Sequence, residues 1–185
     1  MINDEAAEPL RNRTGRLTLV FLTLIAAGLA VGAGLLAPAN REEADLPMVG
    51  QPAPEVVVDL FGGGEWRLSE HLGGGGNPVL LNLWASWCEP CEEEIPTISD
   101  FALDHPELTV VGVAVRDDRE AAAAFAERLA PAYPMGFDAG GRLRDRYIGF
   151  GLPAVFLIDS TGMVVAQLEG GAQRDDLDGL TALLG

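Results

Sequence analysis

Cys88 and Cys91 are the only cysteines among 185 residues, and two residues separate them in the segment WASWCEPC. Nothing else in the chain can form a disulfide with either. The chemistry open to such a pair is thiol–disulfide exchange, in which one thiolate attacks a partner's disulfide and the second thiol breaks the mixed disulfide. A disulfide serving stability alone would gain little here, because stabilisation by loop closure shrinks with loop size and this loop is the smallest useful one. A zinc site needs four ligands, yet only His71 and His105 exist besides the cysteines, and neither shows finger-like pairing. Each histidine reads as an ordinary surface or loop residue.

The elements that must position the pair lie on either side of it. Residues 78–84, PVLLNLW, are almost wholly apolar, as a strand covered on both faces should be. Helical character follows from 88 to about 104, with Ile95, Ile98, Phe101 and Ala102 spaced for one buried stripe and a kink expected at Pro96. Cys88 therefore falls at the end of a strand and the start of a helix. The unpaired amides and macrodipole there favour negative charge, which lowers a thiol's pKa and makes Cys88 the nucleophile. Cys91 lies one turn further in, more shielded, as a resolving thiol should be. Pro90 fixes φ in the first turn and holds the ring geometry.

Acidic residues crowd this turn. Glu89 lies between the thiols, and Glu92, Glu93 and Glu94 follow them. Their charge opposes a thiolate, so the reduced form is destabilised and the couple is expected to be reducing; about 1.4 kcal/mol of such bias moves a two-electron couple by about 30 mV. For Glu92 and Glu93 a simple preference of acids for helix starts competes with that reading. Glu94, three residues beyond Cys91, faces back toward the thiols, where a partly desolvated carboxylate can act as a base for Cys91.

The remaining pattern predicts strands over 55–60, 65–68, 108–115, 135–137, 154–159 and 163–168, and helices over 119–130 and 174–184, with a helical turn near 142–147. Ser69 is expected to cap one helical turn ahead of a flexible glycine connection at 73–76 that has no phosphate-cradle pattern. Strand, helix, strand, helix, then hairpin and helix make an α/β fold with a central mixed sheet and helices on both faces. Right-handed crossovers set the first two long strands side by side.

Ahead of this domain, expected over 54–185, residues 17–37 form a run of 21 uncharged residues, long enough to span roughly 30 Å of hydrocarbon as a helix. Arg11, Arg13 and Arg16 precede it, whereas Arg41 beyond it is outnumbered by Glu42, Glu43 and Asp45, so residues 1–16 are expected to stay cytoplasmic and the rest to be exported. Cleavage after the small-x-small stretch Ala37-Pro38-Ala39 is the rival reading, disfavoured by the length of the apolar run and by Pro38. Residues 38–53 read as a linker rich in Pro and acids. Export places the cysteines where disulfides persist. The formal net charge is −16, and all 12 basic residues are Arg. So acidic a chain repels phosphate backbones, which argues against nucleic-acid binding.

The stretches VGQPAPEVVVDL, PVLLNLWASWCEPCEEEIP and GFGLPAVFLIDSTGMVVAQLEG resemble the thioredoxin-like fold, and more narrowly the TlpA/ResA branch of membrane-anchored thiol-disulfide oxidoreductases. The resemblance covers residues 47–185. It implies a three-layer domain in which the Leu152–Pro153 bond is cis and faces the cysteines, while the Leu152 backbone pairs with an extended substrate. Trp87, Glu89 and Pro90 then share the docking surface, Trp84 packs in the core, and Glu94 matches an active-site glutamate. Asn82 stands where thioredoxins carry a buried aspartate and cannot act as a base. The implied substrates are disulfides of exported proteins, apocytochrome c CxxCH pairs foremost, with electrons from a transmembrane thiol donor and no cofactor.

Two other functions compete. A thiol peroxidase places its reactive cysteine in a Pro-rich, Thr-bearing loop with an Arg nearby, a setting that Trp87 and Glu89 do not supply. A copper or other metal carrier would use Cys88, Cys91 and a histidine, but such proteins usually space their cysteines by three residues.

Overall fold

The computed structural model describes residues 48–147 and 151–184. The expected membrane-spanning segment at 17–37 and its cytoplasmic tail lie outside the described residues. Among those described, no helix is long and apolar enough to cross a membrane.

Among the described residues, seven strands and five α-helices follow one another. They are β1 (Val57–Leu60), β2 (Glu65–Arg67), α1 (Leu68–Gly73), β3 (Val79–Trp84), α2 (Glu89–Asp104), β4 (Thr109–Ala114), α3 (Arg119–Leu129), β5 (Met135–Phe137), α4 (Leu143–Tyr147), β6 (Ala154–Ile158), β7 (Val164–Glu169) and α5 (Arg174–Thr181), closed by a 3-10 turn at Ala182–Leu184. The strands form one sheet in the order β2-β1-β5-β4-β3-β6-β7. β3 pairs in parallel with β4, and β4 with β5, while β6 runs antiparallel to β3 and β7 antiparallel to β6.

The uniform hydrophobicity of β3 has its cause in this arrangement. Alternate side chains point to opposite faces of a sheet, and both faces here are covered. Leu80 and Trp84 join Ile95, Ile98 and Phe101 of α2, Phe125 of α3 and Leu177 of α5. Leu81 and Leu83 join Leu68 of α1, Tyr147 of α4 and Phe156 on the other side. Every residue of β3 is buried. The result is three layers: α2, α3 and α5, then the sheet, then α1 and α4.

Two details depart from the sequence reading. The linker ends earlier than Pro54: Gly50 N–H donates to Val164 O at 2.8 Å, Val164 N–H to Gln51 O at 2.9 Å, and Ala53 N–H to Gly162 O at 2.8 Å, so residues 50–53 pack along the β6–β7 hairpin. Ser69 is not the cap of α1. Arg67 holds that position without a side-chain bond, and Ser69 lies inside the helix with its hydroxyl donating to Glu55 at 3.1 Å. As the apolar stripe predicts, α2 is continuous from Glu89 to Asp104 with Pro96 inside it. The carbonyl left without a donor belongs to Glu92, and both Glu92 and Pro96 are exposed, so water can satisfy it.

Gly112 of β4 shows how tightly the sheet packs beneath the helices. A Cβ there would meet Met135 Sδ at 2.3 Å, Tyr133 Cε2 at 2.9 Å and Trp84 Nε1 at 3.2 Å. Met135 can swing aside, but the two rings cannot. Gly112→Ala is expected to lower stability by about 1–3 kcal/mol, read as a reduced urea midpoint; an unchanged midpoint would show the layer to be looser.

Candidate active site

β3 ends at Trp84, and the chain turns through Ala85, Ser86 and Trp87 before Cys88 caps α2 with extended backbone (φ −94°, ψ 100°). Val115 N–H donates to Trp84 O at 3.0 Å and Cys88 N–H to Ala85 O at 3.1 Å, which closes the turn. Asp117, beyond the end of β4, pins it from the side by accepting from Ser86 N–H at 2.5 Å and Ser86 Oγ at 2.8 Å. Charge-assisted bonds of this kind contribute about 1.5–3 kcal/mol each. Asp117→Ala is therefore expected to lower the melting temperature and to slow thiol–disulfide exchange together. If exchange kept its full rate despite the stability loss, Asp117 would support the fold alone.

Cys88 and Cys91 are joined in a disulfide with their Cα atoms 5.3 Å apart. Cys88 retains 5% of its surface and Cys91 none, which sets the order in which a partner can reach them. Pro90 occupies the first turn, where its missing N–H would have had no helical partner. Glu89 and Pro90 are exposed beside the pair.

Glu94 lies on the buried face of α2 with Cys91, Ile95, Ile98 and Phe101. Its Oε2 accepts from Ala172 N–H at 2.5 Å, from the loop between β7 and α5, while Oε1 is buried without a partner. Burial pushes this carboxyl up to about 7, against the opposing pull of the Ala172 N–H. Glu92 is held differently, in the first turn of α2 where an acid is favoured. Its carboxylate is exposed and paired with Arg128 Nη1 at 2.6 Å, and that hydrogen bond holds it below the usual carboxylate range. Glu92 is thus neutralised by α3 and contributes less to the field at the sulfurs than a free charge would.

Beneath the turn, Asn82 is fully buried, with Nδ2 donating to the Tyr133 hydroxyl at 3.3 Å and Oδ1 unpaired. Burial raises the Tyr133 hydroxyl far above its ordinary range, so it stays neutral. Trp84 is buried in the core and stacks on Phe125 with ring centroids 5.1 Å apart.

Trp87 is 63% exposed, with its indole N–H donating to Arg116 O at 3.1 Å. The Leu152–Pro153 peptide bond is cis. Leu83 pairs with Ala154 at the end of the β3–β6 ladder, so Pro153, directly before Ala154, lies beside the end of β3 from which the cysteine turn starts. The segment thus flanks the cysteine turn. Pro153 is buried, its carbonyl accepts from Gly170 N–H at 3.1 Å, and Leu152 is half-buried. A groove of about 90 Å³ runs between Trp87 and Leu152, lined also by Val115, Arg116, Arg144 and Gly151.

The histidines lie far from the sulfurs. His105 caps the opposite end of α2, 14 residues beyond Cys91, which at the helical rise is roughly 20 Å. His71 bonds Asn77 O at 2.9 Å, at the other end of β3. Neither can share an ion with the pair, which removes the geometry that a metal carrier built on Cys88, Cys91 and a histidine needs. The sequence reading did not find Ser86, Asp117, Tyr133, Ala172, Arg116 or Arg144. Apart from Ser86, two residues before Cys88, each reaches the site through tertiary contact, and the left-handed Gly170-Gly171 pair ahead of Ala172 was the one local signal that the chain turns sharply there.

A dithiol on the first turn of a helix that follows a central strand, flanked by a cis-proline segment, defines a thioredoxin-like thiol-disulfide oxidoreductase. Residues 49–167 match the AhpC/TSA family. The thiol-disulfide oxidoreductase ResA of Geobacillus kaustophilus is 32% identical over 132 residues, 70% of this chain and 74% of that protein. The thiol:disulfide interchange protein HelX of Rhodobacter capsulatus is 29% identical over 160 residues, 85% of this chain and 89% of the relative. A Chlorobium tepidum structure described as a thiol:disulfide interchange protein DsbE superposes with a TM-score of 0.66 at 29% identity, covering 74% of this chain and 98% of the other. The chain belongs to the AhpC/TSA family, within its thioredoxin-like thiol-disulfide oxidoreductases.

Proposed function

We propose that this oxidoreductase works as an exported, membrane-tethered reductant of protein disulfides, with apocytochrome c CxxCH pairs as its favoured substrates. The observation that carries this reading is the buried Glu94 carboxyl one helical turn beyond Cys91, with its shifted pKa. It gives the shielded resolving thiol a place to lose its proton.

In the reduced protein the Cys88 thiolate, favoured by the start of α2, attacks one sulfur of the substrate disulfide. The other substrate sulfur leaves as a thiolate. Glu94 takes the Cys91 proton, and the Cys91 thiolate attacks Cys88 sulfur, releasing the second substrate thiolate. Two electrons pass to the substrate, and the Cys88–Cys91 disulfide is the product. A transmembrane thiol donor restores the dithiol. Trp87, Glu89, Pro90, Leu152 and Pro153 form the docking surface, where the Leu152 backbone pairs with an extended substrate. The apolar run at 17–37 anchors the chain with the domain on the outer face of the membrane.

The test mixes pre-reduced full-length protein in detergent with a disulfide-bonded CxxCH peptide at equal concentration. The expected equilibrium holds mostly reduced peptide and oxidised Cys88–Cys91. A peptide left mostly oxidised reverses the proposed direction.

A further inference from the structure

The groove beside the disulfide is unusual in its charge. The chain carries a formal −16, yet Arg116 and Arg144 border this one depression next to Trp87 and Leu152. Arg116 is exposed and makes no ion pair among the described residues. Its acidic neighbours are engaged elsewhere: Asp117 holds Ser86, and Asp118 caps α3 by accepting from Glu120 and Ala121 N–H at 3.0 and 2.9 Å. Arg144 touches the adjacent Asp145 only at 3.4 Å, on the surface.

The backbone at Arg116 adds a second, independent sign. Its φ is +53°, a left-handed conformation that is strained for a residue carrying a Cβ. That conformation aims the Arg116 carbonyl at the Trp87 indole N–H and leaves the guanidinium at the rim of the groove. Glycine would adopt the same backbone freely, so the strain persists with a charged side chain in place. Sites that hold such strain tend to be ligand clamps.

We propose that this groove is a specificity subsite that takes an acidic side chain, Asp or Glu, flanking the target cysteines of the substrate protein. The proposal deepens the reductase reading and rests on it. An aspartate or glutamate stem lies against Trp87 and Leu152, and its carboxylate meets the two guanidiniums. The acidic surface elsewhere disfavours such a segment, so its carboxylate is drawn to this groove and its disulfide is directed at Cys88.

The test uses full-length protein in detergent and three synthetic peptides, each with one CxxC disulfide and identical except that the residues flanking the cysteines are Glu, Gln or Lys. The expected kcat/KM order is Glu, then Gln, then Lys, with about three- to tenfold between the extremes from two exposed ion pairs. The difference should lie mainly in KM and shrink in about 0.5 M salt. The Arg116→Gln, Arg144→Gln double variant should lose the Glu-over-Gln preference. A chain acting through net charge alone would favour the Lys peptide, so a Lys preference or equal rates overturns the proposal. Failure to reduce any peptide overturns the reductase reading as well, a result distinct from equal reduction of all three.

Discussion

Cys88→Ala is expected to abolish disulfide reduction, while Cys91→Ala is expected to halt it with the substrate covalently attached. The asymmetry follows from exposure. Cys88, at the cap of α2, keeps 5% of its surface beside the Trp87 groove, whereas Cys91 keeps none. Without Cys88 no thiol of the chain can reach a partner, because Cys91 is fully buried, and turnover should fall to the uncatalysed background. Without Cys91 the first exchange still proceeds, but nothing inside the protein can break the resulting bond. Mass spectrometry of the Cys91 variant mixed with a disulfide peptide should show one adduct per chain, and the Cys88 variant should show none. An adduct on the Cys88 variant, or full turnover by it, would reverse the roles.

Glu94→Gln should have the next largest effect, visible in both stability and rate. An acid raised in the folded state binds a proton there that the unfolded chain has already lost. Below about pH 4.5 the group is protonated in both states and makes no difference. Between about 4.5 and 7 stability falls as pH rises, and above about 7 the buried carboxylate lowers stability by a constant amount. With a folded value of about 7 against an ordinary 4.5, that amount is about 3 kcal/mol. The Gln variant of the disulfide form should lose this slope and be more stable than the parent at pH 8, in urea melts at several pH values. Its exchange rate should also lose the rise through pH 7 that comes from Glu94 becoming a carboxylate able to take the Cys91 proton. If the two proteins show parallel stability and rate profiles, Glu94 neither titrates nor carries a proton.

Much of the fold was legible because its signals are local. The apolar run that became β3, the 3.6-residue stripe of Ile95, Ile98 and Phe101, and the Asp159-to-Met163 turn of the hairpin each declare themselves within a few residues. The crossover rule then sufficed to pair β3 with β4. The position of the cysteines at a strand-to-helix junction followed from those two elements alone.

What could not be read are contacts between residues distant in the chain. Ala172 meets Glu94 across 78 residues, Tyr133 meets Asn82 across 51, and Arg128 neutralises Glu92 across 36. Three consecutive acids after the cysteines look alike in sequence, yet they divide into an exposed pair member, an exposed Glu93 and a buried carboxyl. Ser69 misled because a serine ahead of a polar turn resembles a cap, while the helix had started one residue earlier.

The central claim is that the Cys88–Cys91 couple donates electrons. The midpoint potential of that couple, titrated in the full-length protein against a dithiol buffer at pH 7, tests it most directly. Glu89 and Glu93 stay exposed without an ion pair among the described residues, so the account predicts a value well below the glutathione pool, toward about −270 mV or lower. A value near about −120 mV, where the strongest protein oxidants lie, would contradict it.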